Sequence, residues 1–210
     1  MDEKETLRLA ELSRYERSYH ASGYKYICGI DEAGRGPLAG PVVAACVILP
    51  ENILIEGIND SKKVPKKHHA RLCEEIMEKA VDHSVGMADE REIDRINILN
   101  ATKLAMKRAI MKLKVSPDVL FIDYLRLEDI PSEQLSLVKG DSLSVSIAAA
   151  SILAKHTRDN IMKEYALTYS EYGFDKNAGY GTSFHINAIR RYGICGIHRR
   201  TFIKNHMTQI

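Results

Sequence analysis

An α/β fold around a mixed sheet is what this 210-residue chain predicts, and three observations carry the prediction. Short apolar runs bounded by Gly and Pro alternate with longer stretches whose apolar residues recur at helical spacing. The first two runs, "YKYICGID" and "PVVAACVIL", are joined by a glycine loop and read as an antiparallel hairpin of buried strands. Two of the strand-like runs end in an aspartate, which suits strands whose carboxyl ends border a ligand crevice.

In chain order, residues 3–20 predict an N-terminal helix with Leu12, Tyr15 and Tyr19 on one face and Gly23 as its stop. After the hairpin, "INDSKKVPKKHH" is a basic loop, and Pro65 suits the first turn of a helix running to about residue 82, apolar at Leu72, Ile76 and Ala80. "HSVGMAD" alternates as a strand does. A longer helix follows from about Ile93 to Lys114, apolar at Ile98, Ala101, Ala105, Ala109 and Leu113. "DVLFID" is a strand ending in Asp123, and "QLSLVKGD" is another ending near Asp141. Residues 144–168 make the strongest helical pattern. The glycine- and tyrosine-rich "YGFDKNAGYGTSFH" then interrupts before a short helix around residues 184–192.

Apolar content of 45% and charged content of 28% fit one globular domain spanning 1–210. No apolar run is long enough for a bilayer, and the polar N-terminus is no secretory signal, so a cytoplasmic protein is expected, with no membrane partner. The four cysteines are scattered without a C-x-x-C pair, which suits neither a zinc knuckle nor a disulfide framework. Cys28 and Cys46 lie in apolar runs and read as small core residues. The formal net charge of +2 is uneven: residues 176–210 carry Lys176, Arg190, Arg191, Arg199, Arg200 and Lys204 and no acid. A basic segment from about 170 to 210 on an acidic body suits a polyanion partner, and a solvated helix face fits the same charges.

Asp31 and Asp123 would meet if their strands ran side by side in the same sense, and Asp141 stands where a strand gives way to a helix. Carboxylates sharing one crevice need a cation. Oxygen ligands without His or Cys favour Mg²⁺ or Mn²⁺, and such clusters commonly hold two ions against a phosphodiester. The plainer alternatives are that Asp141 is an N-cap, that Asp123 merely ends a strand, and that Glu32 pairs with Arg35. Tyr180, between Gly179 and Gly181, suits stacking on a base or sugar, or packing beneath its own loop.

With these residues assembled, the chain resembles ribonuclease HII, bacterial type, over nearly its whole length. "GIDEAGRGPLAGPVV" is similar to that family's signature, and "INDSKKV", "IDRINILNAT", "FID", "KGDSLSVSIAAASILAKHTRD", "GYGTSFH" and "HRRTF" follow in order. The resemblance implies an RNase H-like fold, a mixed sheet flanked by helices with a small helical C-terminal segment. It implies that Asp31, Glu32, Asp123 and Asp141 are metal-binding catalytic carboxylates holding two Mg²⁺ or Mn²⁺ ions. Gly34, Arg35 and Gly36 would read a ribonucleotide's 2′-hydroxyl, Lys62 would contact substrate, and Tyr180 would pack on the sugar at an RNA–DNA junction. The implied substrates are RNA–DNA hybrids and duplex DNA containing ribonucleotides, with no obligate protein partner. Two departures stand out: Tyr124 occupies a position where members often have glycine, and Cys195-Gly196 replaces a proline-containing turn. The rival expectations are another RNase H-fold nuclease, and a non-catalytic nucleic-acid-binding module, which four acids near phosphate disfavour.

Overall fold

The computed structural model describes residues 1–207; Thr208–Ile210, the end of the expected domain and basic segment, lie outside the described residues. Five strands form one mixed sheet: β1 (Ile27–Ala33), β2 (Val42–Ile48), β3 (Asp82–Ala88), β4 (Val119–Asp123) and β5 (Glu133–Leu137), in the spatial order β3-β2-β1-β4-β5. The expected hairpin is present, since β1 and β2 pair antiparallel, as do β2 and β3. β1, β4 and β5 run parallel. Every residue of β2 is buried, because helices cover both faces of the sheet. That is why the strand reads as an unbroken apolar run and not as an alternating one.

One face packs against α3 (Lys66–Lys79) and α5 (Val145–Thr168), with Ala45, Val47, Leu72, Ile76, Ala148, Ala149 and Ile152 in its core. The other packs against α4 (Glu90–Ile110) through Cys28, Ile30, Ala44, Cys46, Ala101, Ala105 and Ile122. Cys28 and Cys46 are core residues, as their runs predicted. α5 crosses β1 so closely that a Cβ on Gly29 would lie 2.0 Å from the carbonyl carbon of Ser146. Only glycine fits there.

Three expected elements differ. The N-terminal helix breaks at Ser13 into α1 (Glu3–Leu12) and α2 (Arg14–Ala21), and α2 carries the buried Glu16 to the start of α5. There Glu16 Oε1 accepts from Ser144 Oγ at 2.5 Å and from the Ser146 N–H at 3.0 Å. α4 starts earlier than expected, on a capping box of Asp89 and Glu92, and is interrupted at Asn97, whose φ of 65° and ψ of 166° are not helical. The Asn97 side chain caps the continuing segment by accepting from the Asn100 N–H at 3.1 Å. β5 stops at Leu137; Lys139 takes the left-handed conformation and Gly140–Ser142 form a 3-10 turn.

The C-terminal portion has its own apolar cluster, with Leu38, Met162, Tyr172, Phe174, Ile189 and Ile197. Its helices are α6 (Phe174–Asn177), α7 (Ser183–Tyr192) and α8 (Arg200–Met207); the sequence pattern indicated α7 alone. Among the described residues no helix is long and apolar enough to cross a membrane.

Candidate active site

β1 and β4 pair in register with Ile30 opposite Ile122, so Asp31 and Asp123 are the next residues along two adjacent parallel strands. The expected convergence is met. Successive strand residues face opposite sides, so Asp31 shares the α5 face with Gly29, while Glu32 turns to the other side. Asp123 Oδ1 accepts from the Gly140 N–H at 2.7 Å, which ties the end of β4 to the turn carrying Asp141. All four acids line one cleft of about 210 Å³, together with Gly34, Arg35, Gly36, Lys62, Lys155 and Tyr180.

The N-cap alternative for Asp141 is overturned. Ser144 caps α5, its Oγ accepting from the Ile147 N–H at 3.2 Å, and Asp141 lies buried in the preceding turn. The suggested Glu32–Arg35 pair exists, at 3.6 Å, but leaves Glu32 Oε2 and Arg35 Nε buried without hydrogen-bond partners. One further acid stands beside the cleft acids. Asp60 stands close enough to raise the pKa of both Asp123 and Asp141, and its only sequence signal is its place two residues before Lys62 in "INDSKKV".

Each of the four acids is pushed toward its neutral form. Burial, then the charges of Glu32 and Asp123, hold Asp31 well above the usual carboxylate range. Burial pushes Glu32 up to about 7, with Arg35 opposing and Asp123 adding to it. Asp123 and Asp141 are raised chiefly by burial as well. Among the described residues no three acid, histidine or cysteine side chains stand close enough to enclose an ion as they are. The donors nonetheless fit a hard divalent cation: all are oxygens, and the orphaned Glu32 Oε2 is a buried acceptor lacking a positive partner.

At the rim, Tyr180 is 49% exposed, which removes the reading of a ring packed beneath its loop. A Cβ on Gly36 would lie 3.6 Å from its ring, so loop and ring are neighbours. Gly34, with φ of 95°, needs glycine for an internal reason: a Cβ there would meet the Arg158 side chain at 2.0 Å. Tyr124 also has a positive φ, 50°, a left-handed conformation that glycine adopts more readily than other residues. Its ring is the platform for the Arg35 guanidinium, 5.0 Å from the ring centre. The Cys195-Gly196 turn places the Cys195 N–H on His198 Nδ1 at 2.9 Å. His198 Nε2 meets His185 Nε2 at 3.0 Å, and His185 Nδ1 reaches the Tyr180 carbonyl at 2.9 Å. These contacts fix both neutral tautomers, since Nδ1 of His185 must donate and Nδ1 of His198 must accept. Of the expected basic segment, Arg199 is fully buried and adds nothing to the surface charge.

A mixed sheet in this strand order, with acids at the ends of its two central parallel strands, defines the RNase H-like class of metal-dependent nucleases. A family model described as ribonuclease HII matches residues 28–208. Ribonuclease HII of Acetivibrio thermocellus is 58% identical over 97% of this chain and 79% of its own length. That of Caldanaerobacter subterraneus is 54% identical over 96% of this chain and 84% of its own. A crystal structure of ribonuclease H2 from Pyrococcus horikoshii matches with a TM-score of 0.71 at 25% identity, over 88% of this chain and 98% of that one. The chain belongs to the ribonuclease HII family, hydrolases of the RNA in RNA–DNA hybrids that use divalent metal ions.

Proposed function

We propose that this protein cuts duplex DNA on the 5′ side of a single embedded ribonucleotide, leaving a 3′-hydroxyl and a 5′-phosphate, besides hydrolysing RNA in longer hybrids. The observation that carries the reading is the shared cleft of Asp31, Glu32, Asp123 and Asp141, with Gly34–Gly36 and Tyr180 at its rim. Asp31, Glu32, Asp123 and Asp141 would hold Mg²⁺ or Mn²⁺. Two such ions, when bound, supply activation of the attacking water and stabilisation of the departing oxygen.

The chain's own residues do the rest. Lys62 and Arg35 bring positive charge to the cleft and attract a phosphate. The exposed Tyr180 ring gives a flat surface for a deoxyribose, where a 2′-hydroxyl would hinder close packing. Amides of the 34–36 loop can meet the 2′-hydroxyl of the residue before it, and a site built for that contact rejects the deoxy analogue. Residues 1–210 act as one unit in this scheme, and the segment after about 170 contributes Tyr180 and its supports.

The test is cleavage of a labelled DNA duplex bearing one ribonucleotide, with Mg²⁺ or Mn²⁺ and with chelator. Cleavage 5′ of the ribonucleotide, absent in EDTA and absent in Asp31→Asn, is expected. Tyr180→Ala should impair this substrate more than a long RNA–DNA hybrid in Mn²⁺. Cleavage in chelator, or an equal fall on both substrates, overturns the corresponding role.

A further inference from the structure

We infer that Arg158 and Arg199 are positioning residues that aim the ribose-reading loop from beneath, turning the Arg35 and Gly36 amides into the cleft; the inference rests on the function proposed above. Both guanidiniums are buried, at 1% and 0% exposure. Neither has a carboxylate partner among the described residues. Burying two unpaired cations is costly. Their donors go to peptide carbonyls. Arg158 donates to Pro41 O at 3.0 Å, Ala39 O at 3.1 Å and Ala178 O at 3.0 Å. Arg199 donates to Gly40 O at 2.9 Å, Arg35 O at 3.0 Å and Gly34 O at 2.6 Å.

Five of these acceptors lie in the segment 34–41, and the sixth, Ala178, precedes Tyr180 by two residues. The two side chains therefore clamp the loop that carries Gly34–Gly36 to the loop that carries Tyr180. Direct backbone bonds reinforce the clamp, from Leu38 N–H to Gly179 O at 2.8 Å and from Arg199 N–H to Leu38 O at 2.8 Å.

Peptide planarity turns this clamp into a recognition device. In a trans peptide the N–H points opposite to the C=O. With the Gly34 and Arg35 carbonyls drawn down onto Arg199, the amides of Arg35 and Gly36 are turned away from it. Neither amide donates to an acceptor among the described residues, and both belong to residues lining the cleft. Two consecutive free donors make a concavity for an oxygen. The buried cations strengthen it, since each carbonyl pulled toward a guanidinium leaves the positive end of its dipole facing outward. Lysine could not replace arginine here, because three carbonyls spread around one planar fork match five fixed N–H donors and not a point ammonium.

The experiment measures affinity of the full chain, in Ca²⁺ without turnover, for two duplexes of one sequence, one carrying a single ribonucleotide and one all DNA. Wild type should prefer the ribonucleotide duplex by about tenfold, the worth of one or two hydrogen bonds. Arg199→Lys and Arg158→Lys should bring the ratio close to one, while affinity for the all-DNA duplex and the melting-temperature rise produced by Mn²⁺ stay as in wild type. A ratio that survives in the folded variants overturns this inference alone. A wild type without preference overturns the proposed function and this inference with it. Should both variants fail to fold, amide chemical shifts of the wild type decide. The Arg35 and Gly36 signals must move with the ribonucleotide duplex and stay in place with the all-DNA duplex, and any other pattern overturns the assignment.

Discussion

Replacing His198 by glutamine tests how the Tyr180 loop is held. Burial, and then the neighbouring His185, hold His198 down from the ordinary 6.5 to about 4. His185 is lowered as well, by burial. The pair is enclosed by the Tyr172 and Phe174 rings and by Cys195, none of which supplies a negative charge to stabilise a protonated imidazole. A depressed folded-state pKa means that the unfolded chain takes up the proton first. The stabilisation is therefore complete above 6.5 and is lost as pH falls toward about 4. At about 1.4 kcal/mol per unit, the loss attributable to His198 is about 3 kcal/mol. His198→Gln does not titrate. It should cost about 1–2 kcal/mol at neutral pH, through the broken chain from Cys195 to His185, and then lose about 3 kcal/mol less than wild type on acidification. Urea denaturation of the metal-free proteins across this range gives both numbers. Parallel pH profiles for the two proteins would refute the neutral, tautomer-locked histidine pair.

Asp141 and Ser144 should separate cleanly: Asp141→Asn should lose most activity at nearly unchanged melting temperature, whereas Ser144→Ala should cost about 1–2 kcal/mol of stability and spare turnover. Activity retained in Asp141→Asn would remove it from the metal site. Tyr124→Gly should be nearly neutral in stability, because relief of a left-handed conformation offsets the lost stacking with Arg35. Tyr124→Ala loses the ring and keeps the strain, so denaturation should find it about 1 kcal/mol less stable than the glycine variant; equal stabilities would contradict this account. Gly29→Ala should destabilise by about 3 kcal/mol or more, since the added carbon meets backbone of α5 and not a movable side chain. A melting temperature close to wild type would mean that α5 is free to shift.

The order of strands and helices, the β1–β2 hairpin and the acids ending β1 and β4 were legible in the sequence, because each depends on local periodicity and on where an apolar run stops. The match of ordered segments to ribonuclease HII was legible for the same reason, as motifs are contiguous. Glu32 was legible as the second of two adjacent acids ending a strand and Lys62 through those motifs, whereas Asp60, in the same segment as Lys62, was passed over as loop. What the tertiary structure alone decided concerns partners distant in the chain. The end of β5 and the turn at Asp141 depend on Gly140 donating to Asp123, 17 residues away. The break at Ser13 belongs with Glu16, which bonds the start of α5 from 128 and 130 residues away. Arg199 read as one more positive charge of a basic segment, yet its acceptors lie 159 to 165 residues earlier and take it out of water altogether. Residue type shows that a guanidinium has five donors. Only the packing of loop on loop decides whether they face solvent, phosphate or the chain's own carbonyls.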